Sequence, residues 1–325
     1  MIATNFYISV ERYPKGTLNY RRYPSPVEVT RTSCTTSLGT VVPINVVTTQ
    51  DDMGRLLSSI TIEDFKRLHT QGILPNMLAP ASTSPNFGYH HLAPYLRGAE
   101  IPVGIRNIDE YSDQYGNLIP ADHPLSLRAL MRRAEMMDIP GCENRVPGRE
   151  DCGTQRFEQE IAEQGGIHVY WLSTAGNAHV GLFDPRGHEE TDWARRATTD
   201  VMPVGEEIRV KNAELMGTEL GRTVSPEEIP AFGVSIGPGS IVGGMYLDNG
   251  TYLPPPQHII AFADREDKAK AVFESFTFRV SARRPLSFPA QEYIKIKSPA
   301  AGTRLTVVLT EDAAARFLEA QGEKA

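Results

Sequence analysis

The chain lacks most of the features that assign a protein to a class at sight. Its 325 residues contain only three cysteines, Cys34, Cys142 and Cys152. An odd number cannot all pair within one chain, and no Cys-x-x-Cys spacing occurs, so reduced thiols in a cytoplasm are the expectation. No run approaches the roughly 18 apolar residues that span a bilayer. The opening "MIATNFYISVERYPKG" has no basic segment leading into an apolar core, so neither a secretory leader nor a membrane partner is expected. Basic residues are not in excess: the formal charge is −7, and the Arg-Arg pairs at 21–22, 132–133, 195–196 and 283–284 are scattered. That argues against a nucleic-acid partner, whose binding rests on a basic surface. There is no G-x-G-x-x-G at a first strand and no G-x-S-x-G. His90, His91 and His258 have no ligand spacing with acids or cysteines. No metal or cofactor is implied.

What is present is an alternation of short apolar runs and helical segments. Residues 1–40 stand apart, rich in Tyr, Arg, Pro, Ser and Thr without a sustained period, and are read as an extension draped over the body or a neighbour. Residues 41–325 read as one α/β domain. "VVPINVVTT", "ILPNMLA", "IPVGIRNI", "IHVYWL", "AFGVSIG", "HIIAFA" and "TRLTVVL" are strand candidates. Helical spacing appears in "LLSSITIEDFKRLHTQG", with Ile62, Phe65 and Leu68 on one face and Gly72 as a stop. "HPLSLRALMRRAEMM", "TQRFEQEIAEQGG" and "EDKAKAVFESF" are further helices. Thr310 is expected to cap a last one, "EDAAARFLEAQ". Such alternation predicts a mainly parallel sheet covered on both faces.

Ligands in such sheets bind beyond the carboxyl ends of the strands. Three segments follow strands directly. "PASTSP" offers Ser82, Thr83 and Ser84 before a helix, either an anion site or a plain helix cap. "DEY" places Asp109 and Glu110 together, one of which could take a proton next to a carbonyl or simply cap the next element. "LSTAGNAHVGLFDP" carries His179 and Asp184, and a loop histidine titrates near neutrality.

The order of these pieces resembles the glucosamine-6-phosphate deaminase family, which includes 6-phosphogluconolactonase-like relatives. Those deaminases show a small-residue loop ending in Thr-Pro, then Asp-Glu-Tyr, a His-Pro-x-Ser helix, and Gly-x-Asp-Gly-His-x-x-x-x-Glu-Pro. The counterparts here are "PASTSP", "NIDEY", "ADHPLSLRALM" and "GNAHVGLFDP". The resemblance spans roughly residues 60–300. It implies a Rossmann-like three-layer α/β fold with a mainly parallel sheet, of the sugar-phosphate isomerase type. By that resemblance Asp109 is the enolising base, His179 opens the sugar ring, Asp184 stands for the acid that holds the histidine, and Lys268 maps to a phosphate lysine. It also implies a small-molecule sugar or amino-sugar substrate and a homo-oligomer.

The departures from the family pattern alter what the resemblance implies. Asn177 replaces a carboxylate, and an amide cannot exchange the proton as an acid does. Ser82 and Thr83 replace glycines that let a phosphate approach the backbone. Glu214 occupies the position of a phosphate-binding arginine, reversing its charge. The leading reading is therefore an isomerase or deaminase of a sugar without phosphate or of a cationic amino sugar. A lactonase-like hydrolase, to which "HVGLFDP" half corresponds, and a non-catalytic sugar-binding relative are the alternatives.

Overall fold

The computed structural model describes residues 10–11, 27–35, 41–99, 101–176, 179–182, 198–277, 299 and 302–322. Its strands are β1 Val10–Glu11, β2 Thr30–Thr35, β3 Val41–Val47, β4 Asn76–Ala79, β5 Gly104–Asn107, β6 Asp109–Ser112, β7 Glu143–Arg145, β8 Val169–Ser173, β9 Asp200–Pro203, β10 Phe232–Ser235, β11 Met245–Tyr246, β12 Tyr252–Leu253, β13 His258–Ala263 and β14 Arg304–Thr310. Among the described residues they form a nine-stranded sheet in the order β1-β2-β3-β14-β13-β8-β4-β5-β7. From β3 to β7 every pairing is parallel, while β1 and β2 join the edge antiparallel. Part of the segment read as an extension thus continues the sheet: Thr30–Thr35 pairs with residues 41–46 of β3.

Period-2 alternation in the strands divides the core into two faces. Val169, Trp171, Ile260, Phe262 and Val308 pack with one set of helices. That set is α1 Gln50–Thr70 and α2 Thr83–Ala99. Tyr170, Leu172, Ile259, Ala261 and Val307 face the other way, against Phe157 and Ile161 of the helix Arg156–Glu163 and Ala313 and Ala314 of the helix Glu311–Gly322. The result is the three-layer α/β arrangement with a mainly parallel sheet.

Helix α1 begins earlier than the sequence spacing suggests. Thr49 caps it by accepting from the Asp52 backbone N–H at 3.0 Å, and Asp51 and Asp52 fill its first turn, where acids suit the dipole. It crosses α2 closely. A Cβ on Gly54 would lie 2.4 Å from the Phe87 carbonyl carbon, so only glycine fits there. Trp171 ties this layer to the sheet by stacking on Tyr89 and donating to Thr61 Oγ1 at 2.8 Å. Thr310 accepts from the Ala313 N–H at 3.4 Å at the start of the last helix.

The reading of "AFGVSIG" as one more strand of the parallel sheet is corrected. β10 lies in a separate three-stranded sheet, β6-β10-β9, where it pairs antiparallel with both neighbours. Asp109 follows β5 by two residues, as the sequence suggests, and opens β6 of this small sheet directly opposite Ser235. A buried four-residue apolar run carries no mark of parallel or antiparallel partners, so periodicity could not separate the two.

Candidate active-site cleft

The chain runs from β4 outward to β5 and β7, then returns to the other side of β4 as β8. The strand order reverses between β4 and β8, and ligands bind above the carboxyl ends of strands at such a switch point. A cleft of about 510 Å³ lies there. Its floor comes from the segments after four parallel strands: Pro80–Ser84 after β4, Ile108 and Asp109 after β5, Thr174–Gly176 and His179–Gly181 after β8, and Asp264–Lys268 after β13. The helix Glu206–Leu220 forms the facing wall through Glu207, Lys211, Asn212 and Glu214.

The cleft therefore gathers Ser82, Ser84, Asp109, His179, Glu214 and Lys268, six of the residues singled out in the sequence. Thr83 opens α2, but its side chain lies outside the described residues, as do Asn177 and Asp184. Glu214 and Lys268 line the same cleft without pairing with each other.

The adjacent acids Asp109 and Glu110 have divergent surroundings, because successive strand residues point to opposite sides. Glu110 is fully buried and accepts five hydrogen bonds: from the N–H groups of Tyr111, Leu127 and Arg128, from Ser126 Oγ and from Arg128 Nε, at 2.7 to 2.9 Å. It is a cap for the short helix Leu127–Arg133. Asp109 faces the cleft and is also buried. Among the described residues its carboxyl makes no hydrogen bond. Burial, and secondarily the Glu110 charge, push it up to about 8. Burial and the same Asp109 charge also raise Tyr89 and Tyr170, the latter a lining residue.

The loop bearing His179 is drawn tight against Asp109. Gly181 has φ +58°, and the next residue, Leu182, donates its N–H to Ser235 Oγ at 3.2 Å. Since Ser235 is the register partner of Asp109, β10 fixes the histidine loop and the carboxylate in one frame.

Beside this pair lies a buried polar cluster. Lys268 Nζ donates to Asp264 Oδ1 and to Ser84 Oγ, each at 2.6 Å. Ser84 Oγ donates to Asp264 Oδ1 at 2.8 Å, and Gln50 Nε2 reaches Asp264 Oδ2 at 3.2 Å. Burial pulls the Lys268 ammonium below its usual range, against the opposing pull of Asp264. Two looser ion pairs complete the lining: Lys211 with Glu214 at 3.0 Å and Arg265 with Asp267 at 3.3 Å.

Sequence reasoning missed Gln50, Gly181, Lys211, Asn212, Asp264, Arg265 and Asp267. Asp264 follows "HIIAFA" directly, so the strand-end rule that found Asp109 and His179 also points to it. Lys211 and Asn212 lie on a helix whose inward residues, Ile208, Ala213 and Met216, form no regular apolar stripe.

No protein-family model matches the chain. Among curated proteins it is similar to the glucosamine-6-phosphate deaminase of Rhodopirellula baltica, with 29% identity over 188 residues, or 55% of this chain and 63% of that protein. The match thus spans less than two thirds of that relative's length. The glucosamine-6-phosphate deaminase of Halothermothrix orenii is 26% identical over 219 residues, 65% of this chain and 78% of that protein. Among solved structures, a monomeric glucosamine-6-phosphate deaminase superposes with a TM-score of 0.61 at 17% identity, covering 84% of this chain and 98% of that one. The 6-phosphogluconolactonase of Trypanosoma brucei gives 0.57 at 15% identity, covering 84% and 98%. At such identities the superpositions establish the fold, and function has to be argued from the site.

Proposed function

We propose that this chain, a divergent relative of the glucosamine-6-phosphate deaminases, is an enzyme that opens and enolises a sugar or amino sugar. His179 protonates the ring oxygen while the anomeric hydroxyl gives up its proton to water, so that the bond between the anomeric carbon and the ring oxygen breaks and the cyclic form yields an open-chain aldehyde. The Asp109 carboxylate then takes the proton from the carbon next to that aldehyde while the carbonyl oxygen gains one, giving an enediol or enolamine. Returning a proton to the former aldehyde carbon completes the shift. With a 2-hydroxy sugar the product is a ketose; with a 2-amino sugar it is an imine, which water hydrolyses to a ketone and ammonia. No oxidant is needed.

The observation that carries this reading is Asp109. Its carboxyl faces the cleft, buried and held near 8, which suits a base for proton transfer near neutral pH. Glu110, the other acid of the pair, is fully engaged as a helix cap. Asp184 is proposed to orient His179, and Asn177 to contribute a hydrogen bond where the family pattern has an acid.

The reading is tested by incubating the protein in D2O with glucose, glucosamine and their 6-phosphates, and following deuterium entry at C2 by NMR. Asp109→Asn is expected to abolish exchange with little loss of binding by calorimetry. Unchanged exchange in that variant would sink the proposal. Hydrolysis of a sugar lactone without C2 exchange would instead favour the lactonase-like alternative.

A further inference from the structure

We infer that the cleft is built for an unphosphorylated amino sugar, because each described cation lining it is already matched by a carboxylate within it. The inference names the substrate class of the site proposed above and rests on that reading for the reaction, but not for what binds.

The cation best placed for a phosphate is Lys268, at the carboxyl end of the sheet. Its partner Asp264 is as buried as it is: the two side chains are 5% and 2% exposed. A phosphate taking the one N–H that Lys268 does not give to Asp264 or Ser84 would stand beside the buried Asp264 carboxylate and be repelled by it. The neighbouring donors are committed to the same acid. Ser84 Oγ uses its single proton on Asp264, and the Gln50 amide also donates to it.

The other two cations are on the surface. Lys211 and Arg265 are exposed, and each is paired with its own acid, Glu214 and Asp267. The described lining thus sets Glu214, Asp267 and Asp264 against Lys211, Arg265 and Lys268, one acid to each cation. A phosphomonoester brings close to two further negative charges. An ammonium group brings the opposite sign. It gains from Glu214 and from ionised Asp109 what a phosphate would lose to them.

Isothermal titration of the wild-type chain with glucosamine and with glucosamine 6-phosphate, and with inorganic phosphate as competitor, tests this. Glucosamine is expected to bind at least about tenfold more tightly than its 6-phosphate, and phosphate is expected not to compete. Asp264→Asn frees Lys268 and is expected to raise affinity for the 6-phosphate by about tenfold. Glu214→Gln, on the exposed wall, is expected to shift preference the same way by a smaller factor, and it provides the reading if Asp264→Asn fails to fold. Tighter binding of the 6-phosphate by the wild type, or of neither sugar, overturns the inference. So does a folded Asp264→Asn protein with no gain. If glucosamine binds as expected but its C2 proton does not exchange, the enolisation reading falls and the substrate class stands.

Discussion

A methyl group on Gly181 would lie 3.2 Å from Asp109 Oδ2 and only 2.5 Å from Ser235 Oγ. The bare backbone of this one residue lets the histidine loop close over the proposed base. Its φ of +58° adds a second demand for glycine, because a Cβ is strained in the left-handed region. Gly181→Ala is therefore expected to push the loop outward. Turnover should fall by about a hundredfold, the scale associated with misplacing a catalytic group by roughly 1 Å. Stability should fall by about 1–3 kcal/mol. Parallel measurements of kcat and thermal midpoint check both. An Ala variant with wild-type kcat would show that loop position does not govern the chemistry.

Asp109 makes two predictions of pH dependence with fixed signs. In the unfolded chain its carboxyl titrates near 3.8, and in the folded chain near 8. Between those values the folded state holds a proton that the unfolded state has released, so this group's contribution to stability falls as pH rises through the window. Asp109→Asn removes that penalty. The variant should be inactive yet more stable than the wild type, by about 1–3 kcal/mol at pH 8 and by little at pH 4. Activity runs the other way, because the base is the ionised form. Wild-type kcat/KM should climb between pH 6 and 8, by about tenfold per unit at its steepest, and then level off. A flat profile would remove Asp109 from the role of base.

The strands of the large sheet and the residues that follow them were legible because buried parallel strands are short apolar runs, and their carboxyl ends carry the polar groups. Asp109 and His179 were found in this way, whereas Lys268 came only from the family resemblance. The small antiparallel sheet was not legible, since "FGVS" has the same run and only its partners differ. Nor was the helix Glu206–Leu220, which presents Lys211, Asn212 and Glu214 to the cleft while burying only Ile208, Ala213 and Met216. Charge pairing was half visible. Asp264 and Lys268 are four residues apart, a spacing at which opposite charges meet on a helix, yet here they meet across a strand end and a single 3-10 turn.

Glu110 and Asp109 should separate cleanly under mutation. Glu110→Gln sets an amide NH2 among five donors that now converge on a carboxylate. Two or more of those donors lose their acceptor in a fully buried place, at a cost of about 2–4 kcal/mol. The thermal midpoint should drop markedly. The change also removes the like charge that helps to raise Asp109. The folded fraction should therefore keep its proton exchange, with the pH profile moved to lower pH. Loss of activity without loss of stability would contradict the assignment of Glu110 as a cap.

A second buried acid gives a control at the opposite end of the sheet. Asp64 of α1 accepts from His258 Nδ1 at 2.6 Å and from Arg304 at 2.5 and 2.6 Å. His258 and Arg304 are the first residues of β13 and β14, so this cluster lies across the full length of those strands from the cleft. It fastens α1 to the sheet. Burial acts to raise the Asp64 carboxyl, but its bonds to His258 and Arg304 outweigh that and hold it below the usual range. A depressed carboxyl contributes stability that is present above its unfolded value of 3.8 and is lost as pH falls through its folded one. Asp64→Asn should therefore cost about 2–3 kcal/mol at pH 7. Its deficit against the wild type should shrink as the pH drops below 3.8, where the wild type loses the same charge. Denaturant melts across that range read the stability term. Because α1 also delivers Gln50 to the cleft, the companion measurement is KM. It should stay unchanged, since Gln50 sits at the far end of α1 from Asp64 and is tied there to Asp264. A raised KM would mean that the fastening at the base of the sheet also sets the geometry of the cleft.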